Sequence, residues 1–394
     1  MLLSASSTGS RVSGVLDSDI DAGVNAIRIL SEEIGPRPSA STEESAAALY
    51  IGQELADSGL DPEAEEFRSS RSFGPSYLLT FGLATLAGLF GRGPVRYMAG
   101  VVAAVMGLGD SRFSGYGASA LTKRRVSRNV HAVIEPAGEA RQTVCVVSHM
   151  DSSRSGLMFH PRVTPFLGRL VAGTGVALGL QALDPLIGRG PGKWLILKAR
   201  LICALAFGLI LEREIRGVNV PGANDNASGV GACLAMAKRF SREPLENTRI
   251  VILVTGSEES GVHGMTSFLA SHDTEGWMFV NYDGVSADAS LRVLSKEGGP
   301  LGSVDADSDL LRMASDVGVE APELAAEPLE HGSGLPYDAT PVMVQGGRAI
   351  SVVNQDGAIP DYHWPTDLFE HVSRPAFRNA VLFGEALLLR IDRR

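Results

Sequence analysis

Five short motifs place histidine or acidic side chains where they could hold metal ions and move protons. Each follows a predicted β-strand or lies in a loop, which is where α/β proteins place their functional sites. In chain order they are residues 148–152 (SHMDS), 221–229 (PGANDNASG), 256–261 (GSEESG), 281–284 (NYDG) and 361–367 (DYHWPTD). Their imidazole nitrogens and carboxylate oxygens are ligands that suit zinc.

His149 and Asp151 come directly after the predicted strand at 143–147. A metal-binding histidine commonly donates its second ring N–H to a carboxylate, which selects the tautomer, and an aspartate two residues later can accept it. A surface pair would have the same spacing, so this motif alone leaves both interpretations open.

Asp225 lies in a glycine-rich turn before a predicted helix. Such a turn can point the carboxylate into a cleft with both oxygens free to bridge two cations. Alternatively, Asp225, Asn226 or Ser228 caps the helix that follows.

Glu258 and Glu259 follow the most hydrophobic predicted strand, at 249–254. Adjacent carboxylates repel each other unless a cation lies beside them, so one could bind a metal while the other holds a proton. Alternatively, the two glutamates lie in the first turn of a helix, where the helix dipole stabilises negative charge. Asp283, after a strand, and His363, in a loop, are ambiguous individually.

Strands that alternate with helices position these motifs. The predicted helices are 21–34, 42–59, 229–240, 264–271, 307–317 and 374–391, and the predicted strands are 129–134, 143–147, 249–254, 278–282, 291–294 and 349–353. The two strands at 143–147 and 249–254 have almost no polar alternation, as expected for strands covered on both faces. We therefore predict an α/β protein, a three-layer α/β/α sandwich with a mixed, mostly parallel central sheet.

Composition excludes several classes of protein. The 394 residues carry a net charge of −10 and are 44% hydrophobic and 20% charged, which excludes disordered, collagenous and disulfide-stapled chains. The acidic balance argues against nucleic acid as a partner. Three cysteines without CxxC spacing indicate a reducing compartment. We predict a flexible N-terminus over 1–18 without a signal peptide and, by default, a cytoplasmic location.

Four uncharged runs interrupt the α/β pattern and predict two helical hairpins, at 77–109 and 170–211. The runs 77–91, 97–109, 170–183 and 201–211 have 15, 13, 14 and 11 residues, fewer than the roughly 20 that span a bilayer. Ten basic residues flank their outer ends and six lie between the runs, among them Arg92 and Arg189. If the hairpins contact a membrane, this bias places the rest of the chain on the cytoplasmic side. The alternative is a hydrophobic lid or a subunit contact.

The ordered set of motifs resembles that of the co-catalytic zinc aminopeptidases, metallopeptidase family twenty-eight, whose relatives include glutamate carboxypeptidases and glutaminyl cyclases. The resemblance covers about 19–67, 129–154 and 218–394 and includes Gly35-Pro36-Arg37-Pro38 and the segment at 335–340. It implies one domain, 19–394, interrupted by hydrophobic insertions at about 69–127 and 156–217.

The resemblance also implies roles for the site residues. Two zinc ions would share Asp225; Glu259 and His363 would complete one site, and His149 and Asp283 the other. Asp151 would orient His149, with Asp338 and Asp367 as candidates for further support, and a cis peptide would link Asp225 to Asn226. The implied reaction is hydrolysis of a peptide with a free N-terminus, in which Glu258, as general base, takes a proton from the attacking water and returns it to the leaving amine.

Three functions follow from these observations. The first is an aminopeptidase, and the second is a carboxypeptidase or a glutaminyl cyclase on the same fold; a cyclase needs only one metal. The third is a catalytically silent, membrane-associated scaffold, against which the complete set of ligands argues.

Overall fold

The computed structural model describes residues 13–90, 93–188, 190–299, 302–330 and 334–394. Arg92, Arg189 and His331, together with residues 1–12 of the predicted flexible N-terminus, lie outside the described residues.

Helices and strands alternate along most of the chain, as predicted. The helices are α1 Asp17–Arg28, α2 Thr42–Asp57, α3 Gly74–Phe90, α4 Gly93–Ser111, α5 Ser119–Thr122, α6 Leu167–Ala182, α7 Asp184–Ile187, α8 Gly192–Arg216, α9 Ser228–Arg242, α10 His263–Ser271, α11 Ser308–Glu320, α12 Ala339–Val344 and α13 Arg374–Asp392. The strands are β1 Glu63–Ser69, β2 Arg125–Ile134, β3 Gln142–His149, β4 Thr248–Thr255, β5 Met278–Tyr282, β6 Leu291–Leu294, β7 Lys296–Gly299, β8 Gly302–Asp305, β9 Glu327–Leu329 and β10 Arg348–Asn354. The sequence analysis missed α5, α7, α12, β1, β7, β8 and β9, which are short or largely polar.

An eight-stranded sheet in the order β1-β2-β4-β3-β5-β10-β6-β9 forms the centre of the molecule, and β7 pairs with β8 in a separate hairpin. The four central strands β4, β3, β5 and β10 are mutually parallel, whereas β2 and β6 join them antiparallel. The predicted mixed, mostly parallel sheet is therefore confirmed. His149 is in register with Thr255, and Val147 with Asn281, so β3, β4 and β5 end side by side.

The buried strands β3, β4 and β5 are covered by helix α9, on which α1 and α13 pack. Helices α1 and α9 approach closely where Gly23 faces Gly231. A Cβ at Gly231 would lie 2.7 Å from the carbonyl oxygen of Gly23, so this crossing requires glycine. Helices α10 and α12 contact each other and also pack on strands of the sheet.

The two hydrophobic insertions form a four-helix bundle, in which α3 packs on α4 and α8, and α6 packs on α4 and α8. Its small core includes Phe81, Ala103, Leu178 and Cys203. Helix α8 is longer than the uncharged run 201–211 inside it, because the helix continues past the charged residues at both ends of that run. With 25 residues, α8 is long and apolar enough to cross a membrane, and only 28% of its most apolar window is buried.

Arg37 connects the N-terminal segment to the loops beside the central strands. It is fully buried, and its guanidinium donates to five backbone carbonyls, those of Leu30, Gly35, Met150, Pro221 and Gly222. Burial lowers the pKa of Arg37 to about 10. The side chain thus holds together the segments that precede α2, follow β3 and precede α9.

Replacing Arg37 with methionine should destabilise the fold strongly. Arg37→Met leaves these carbonyls without their donor, so we expect the free energy of unfolding to fall by about 3–5 kcal/mol. Urea denaturation followed by circular dichroism measures this loss. Arg28→Met is the control, because Arg28 forms an exposed pair with Glu33 and should cost less than about 1 kcal/mol. Equal losses in the two variants would contradict the role of Arg37.

Candidate active site

Three parallel strands deliver four of the predicted site residues to one edge of the sheet. His149 is the last residue of β3, Glu258 and Glu259 follow the end of β4, and Asp283 follows β5 directly. Because the carboxyl ends of neighbouring parallel strands meet at the same edge, these side chains converge although they are far apart in sequence.

Asp225 reaches this edge from the turn before α9. Gly222 opens the turn with φ +64°, and a Cβ there would lie 2.4 Å from the carbonyl oxygen of Asp225. The Asp225–Asn226 peptide bond is cis. Asn226, not Asp225, accepts the N–H of Gly229 in the first turn of α9, at 2.9 Å. The capping alternative therefore applies to Asn226 and leaves the Asp225 carboxylate free for the site.

Asp367 holds the same turn in place, and His363 comes from the loop that follows β10. The Asp367 carboxylate accepts the backbone N–H groups of Asn224 and Asp225 at 2.6 and 3.0 Å.

Both Ser257 and His363 have left-handed backbone conformations, with φ of +57° and +51°. Such conformations are uncommon outside glycine, and they cluster at functional sites.

The candidate ligands form two groups of three that share Asp225. In the first, His149 Nε2 lies 3.4 Å from Asp225 Oδ1 and 3.5 Å from Asp283 Oδ2. In the second, His363 Nε2 lies 3.2 Å from both Asp225 Oδ2 and Glu259 Oε1. The ligand atoms of each group lie within 4.8 Å of one another. Asp225 thus directs one oxygen toward each group.

These residues fit a pair of zinc ions. Asp225 Oδ2 and Glu259 Oε1 are buried and have no hydrogen-bond partner among the described residues. A buried carboxylate oxygen without a donor is costly unless a cation lies beside it. Carboxylate oxygens and imidazole nitrogens, three to a site, are the donor set that zinc takes in catalytic sites.

The same crowding shifts the pKa values of the site. Burial acts to lower the pKa of His149, but the carboxylates of Asp151, Asp225 and Asp283 outweigh it and raise that pKa well above its usual value. Likewise, Glu259 and Asp225 overcome burial and raise the pKa of His363 to about 9. Burial also raises the pKa of Glu258 well above its usual range. The site therefore attracts positive charge while Glu258 readily holds a proton.

Asp151 connects His149 with the glutamate pair. His149 Nδ1 donates to the backbone carbonyl of Asp151 at 3.0 Å, and the nearer carboxylate oxygen is 3.5 Å away. The carboxylate itself accepts the backbone N–H groups of Glu258 and Glu259, at 3.1 and 3.2 Å, and the hydroxyl of Ser39. The contact with Nδ1 directs Nε2, the other ring nitrogen, toward Asp225 and Asp283.

The sequence analysis missed Glu44. This buried residue of α2 accepts the backbone N–H of Ser257 at 2.8 Å and so supports the turn that carries Glu258 and Glu259. Burial raises its pKa to about 8. The sequence contained a signal for this role, because the helical spacing places Glu44 on the same face of α2 as the apolar residues Ala47, Ala48 and Ile51. Asp338 lies behind the site and accepts the hydroxyl of Thr255.

The remaining described histidines lie outside these two groups. His131 and His272 form a separate cluster with Glu65. His272 Nε2 is 3.1 Å from Glu65 Oε1. Strands β1 and β2 and the end of α10 bring these residues together, although they are distant in sequence.

Two cavities meet at Glu259. One, of about 360 Å³, is lined mostly by residues with polar or charged side chains, among them Ser39, Arg71, Arg154 and Arg213. The second, of about 300 Å³, extends from Glu258, Glu259 and His363 into the helical bundle. Both insertions thus contribute walls next to the site, which motif analysis could not show.

The fold is similar to that of several solved zinc-dependent peptidases and of a related cyclase. A zinc aminopeptidase from Bacillus subtilis has a similar structure, with a TM-score of 0.59 at 17% identity over 94% of each chain. An aminopeptidase from Aneurinibacillus sp. strain AM-1 gives 0.54 at 16% identity over 94% of this chain and 93% of that one. A glutaminyl cyclase from Bacteroides thetaiotaomicron, bound to N-acetylhistamine, gives 0.54 at 14% identity over 94% and 97%.

Residues 212–383 match the model of peptidase family M28. This segment contains Asp225, Glu258, Glu259, Asp283 and His363, and it begins after His149. No curated protein matches the chain. The family match agrees with the resemblance in the sequence, and together with the fold it supports a hydrolase of the metalloexopeptidase class.

Proposed function

We propose that the chain is a two-zinc aminopeptidase that removes residues from the N-terminus of peptides. The observation that carries this proposal is the position of Asp225, whose two carboxylate oxygens face His149 on one side and His363 on the other. A carboxylate so placed is a bridge between two cations. A site for a single metal would not need two complete groups around it.

The two ligand groups divide the metals between them. Asp225, Glu259 and His363 would hold one zinc ion, and His149, Asp225 and Asp283 the other. Zinc ions bound there supply a water of lowered pKa and a Lewis acid for the carbonyl of the scissile bond. Glu258, which contributes to neither group, is the residue left to move the proton.

Glu258 is suited to general acid and base chemistry. It borders the cavity that opens toward the ligands, and Asp151 holds its backbone N–H. The raised pKa makes the Glu258 carboxylate a stronger base, which takes a proton from the attacking water and returns it to the departing amine. Since proton uptake and release occur on one residue, the amide nitrogen leaves as a neutral amine.

Surplus negative charge favours substrates with a free N-terminus. The carboxylates of Glu258 and Glu259 border the cavity next to the metal groups, whereas the Asp151 carboxylate is fully buried and already hydrogen-bonded. An ammonium group next to the metals would be stabilised by the two carboxylates that border the cavity. Two of the similar structures named above are aminopeptidases, which supports the same choice.

Mass spectrometry of a mixed peptide pool tests the proposal. Zinc-loaded protein should shorten peptides with free N-termini by single N-terminal residues and leave N-acetylated peptides intact. Glu258→Gln serves as the inactive control. Loss of C-terminal residues would instead indicate a carboxypeptidase, and loss of ammonia from N-terminal glutamine without shortening would indicate a cyclase. Absence of any reaction would favour the silent scaffold.

A further inference from the structure

The cavity inside the helical bundle, called here the bundle cavity, is continuous with the proposed catalytic site. At one end it borders Glu258, Glu259 and His363, and its walls come from α3, α6 and α8. Phe81, Leu170, Leu205 and Ile210 are among the residues that line it. A group bound in the bundle cavity would therefore lie next to the reacting bond.

The chemistry of the walls restricts what can bind. Away from Glu258, Glu259 and His363 at the catalytic end, Arg169 is the one ionic side chain among the described lining residues. A polar group placed there would lose its hydration without gaining partners, whereas a hydrocarbon would gain from burial. The volume of about 300 Å³ corresponds to roughly ten groups of the size of a water molecule, at about 30 Å³ each.

The bundle cavity also reaches the outer surface of the bundle. Leu170, Ile202 and Leu205 line it and are nevertheless 47%, 39% and 62% exposed. Other apolar side chains of α6 and α8 are exposed as well, among them Val176, Trp194 and Leu201. A chain longer than the cavity could therefore extend from the site onto an apolar surface without meeting a polar barrier.

The side of the site opposite the bundle cavity is lined mostly by charged and polar residues. Glu259 also lines the polar cavity, in which Arg71, Arg154 and Arg213 supply positive charge. The peptide backbone and a terminal carboxylate suit that side, because guanidinium groups bind carboxylates. A substrate that crosses the ligand groups would accordingly place its apolar group in the bundle cavity and its peptide among the arginines.

We propose that the substrate carries a long hydrocarbon chain on the N-terminal side of the scissile bond, and that the bundle cavity binds this chain. The inference rests on the proposed aminopeptidase function for its chemistry. Two kinds of substrate have such a chain: a peptide whose N-terminal residue has a free amine and a long alkyl side chain, and a peptide whose N-terminus carries a fatty acyl group. The proposed function favours the first.

A series of anilides with increasing chain length tests the inference. The substrates are the p-nitroanilides of leucine, 2-aminooctanoic acid and 2-aminododecanoic acid. In the wild-type protein we expect kcat/KM to rise by at least about tenfold from the first to the last, as more methylene groups are buried. Equal values for the three substrates would contradict the proposal.

Two glycines of α6 provide a matched pair of variants. Gly173 lines the bundle cavity, Gly179 does not, and a Cβ at either position meets nothing within 4 Å. Gly173→Phe should abolish the advantage of the dodecanoic substrate over the leucine substrate, since a phenyl ring fills space that the long chain uses. Gly179→Phe should behave as wild type. Equal effects of the two variants would overturn the assignment.

Direct binding separates this inference from the proposed function. Calorimetry with dodecylamine should show binding to the wild-type protein and to Gly179→Phe, with at least about tenfold weaker binding to Gly173→Phe. If the protein cleaves N-dodecanoyl-alanine but not leucine anilide, the bundle cavity still binds the hydrocarbon chain, but the proposed aminopeptidase activity is refuted. Absence of dodecylamine binding would refute the chain site, whatever the anilides show.

Discussion

Glu258→Gln is expected to lower kcat by about 100- to 10,000-fold, the usual contribution of a general acid or base. The amide keeps the size and shape of the carboxyl group but cannot accept the proton of the attacking water. Zinc content should stay at the wild-type value, because Glu258 belongs to neither ligand group. Steady-state kinetics on a leucine peptide, together with elemental analysis of the same samples, measures both quantities.

The neighbouring residue supplies the matched control. Glu259→Gln makes the same chemical change one position later, in a side chain that lies 3.2 Å from His363 Nε2. This variant should lose both activity and zinc. If Glu258→Gln retained turnover, or if it lost zinc as Glu259→Gln does, the assignment of Glu258 as the base would fail.

Asp225→Asn is expected to remove both zinc ions rather than one. The substitution replaces a charged bridge by an amide whose nitrogen donates hydrogen bonds, and it disturbs both groups at once. The affinity for zinc should fall by more than about 100-fold, since even residues that only support metal ligands contribute 10- to 100-fold. Titration with a zinc chelator, with zinc per chain counted in wild type and variant, measures the change.

Asp283→Asn distinguishes a bridge from an ordinary ligand. Asp283 belongs to the His149 group alone, so its variant should lose a single zinc relative to wild type. The measured quantity is the difference in zinc per chain between variant and wild type. Metal bound at the separate cluster of Glu65, His131 and His272 is present in both samples and does not affect this difference. Retention of both metals by Asp225→Asn would contradict the shared-ligand arrangement.

The two hydrophobic insertions form part of the walls of the cavities next to the site, and the ligand residues do not determine the chemistry of those walls. The loop after β3 begins with Asp151, next to the catalytic edge, and the chain then builds α6 and α8 before it returns to Asp225. Residues that position the ligands are therefore connected directly to residues that line the bundle cavity. Substrate choice can change through the bundle while the ligands stay in place.

Local sequence was sufficient to predict the elements that carry the site. The strand at 278–282 is predicted with its observed bounds, and the sheet is mixed and mostly parallel as expected. These features depend on residue periodicity within a few turns or a few strand positions, which the sequence displays directly. Likewise, the motifs identify the residue types that could bind zinc, because metal chemistry selects a small set of side chains.

Only the tertiary structure decided which distant residues touch. The Asp225 oxygens face two histidines that lie 76 positions before and 138 positions after it in the chain. The guanidinium of Arg37, the support from Glu44 and the continuity of the bundle cavity with the site have the same origin. Contacts of this kind depend on strand order and helix packing, which local periodicity does not encode. Hence the sequence by itself determined the chemistry available to this protein, and the fold decided where that chemistry is assembled and which groups lie beside it.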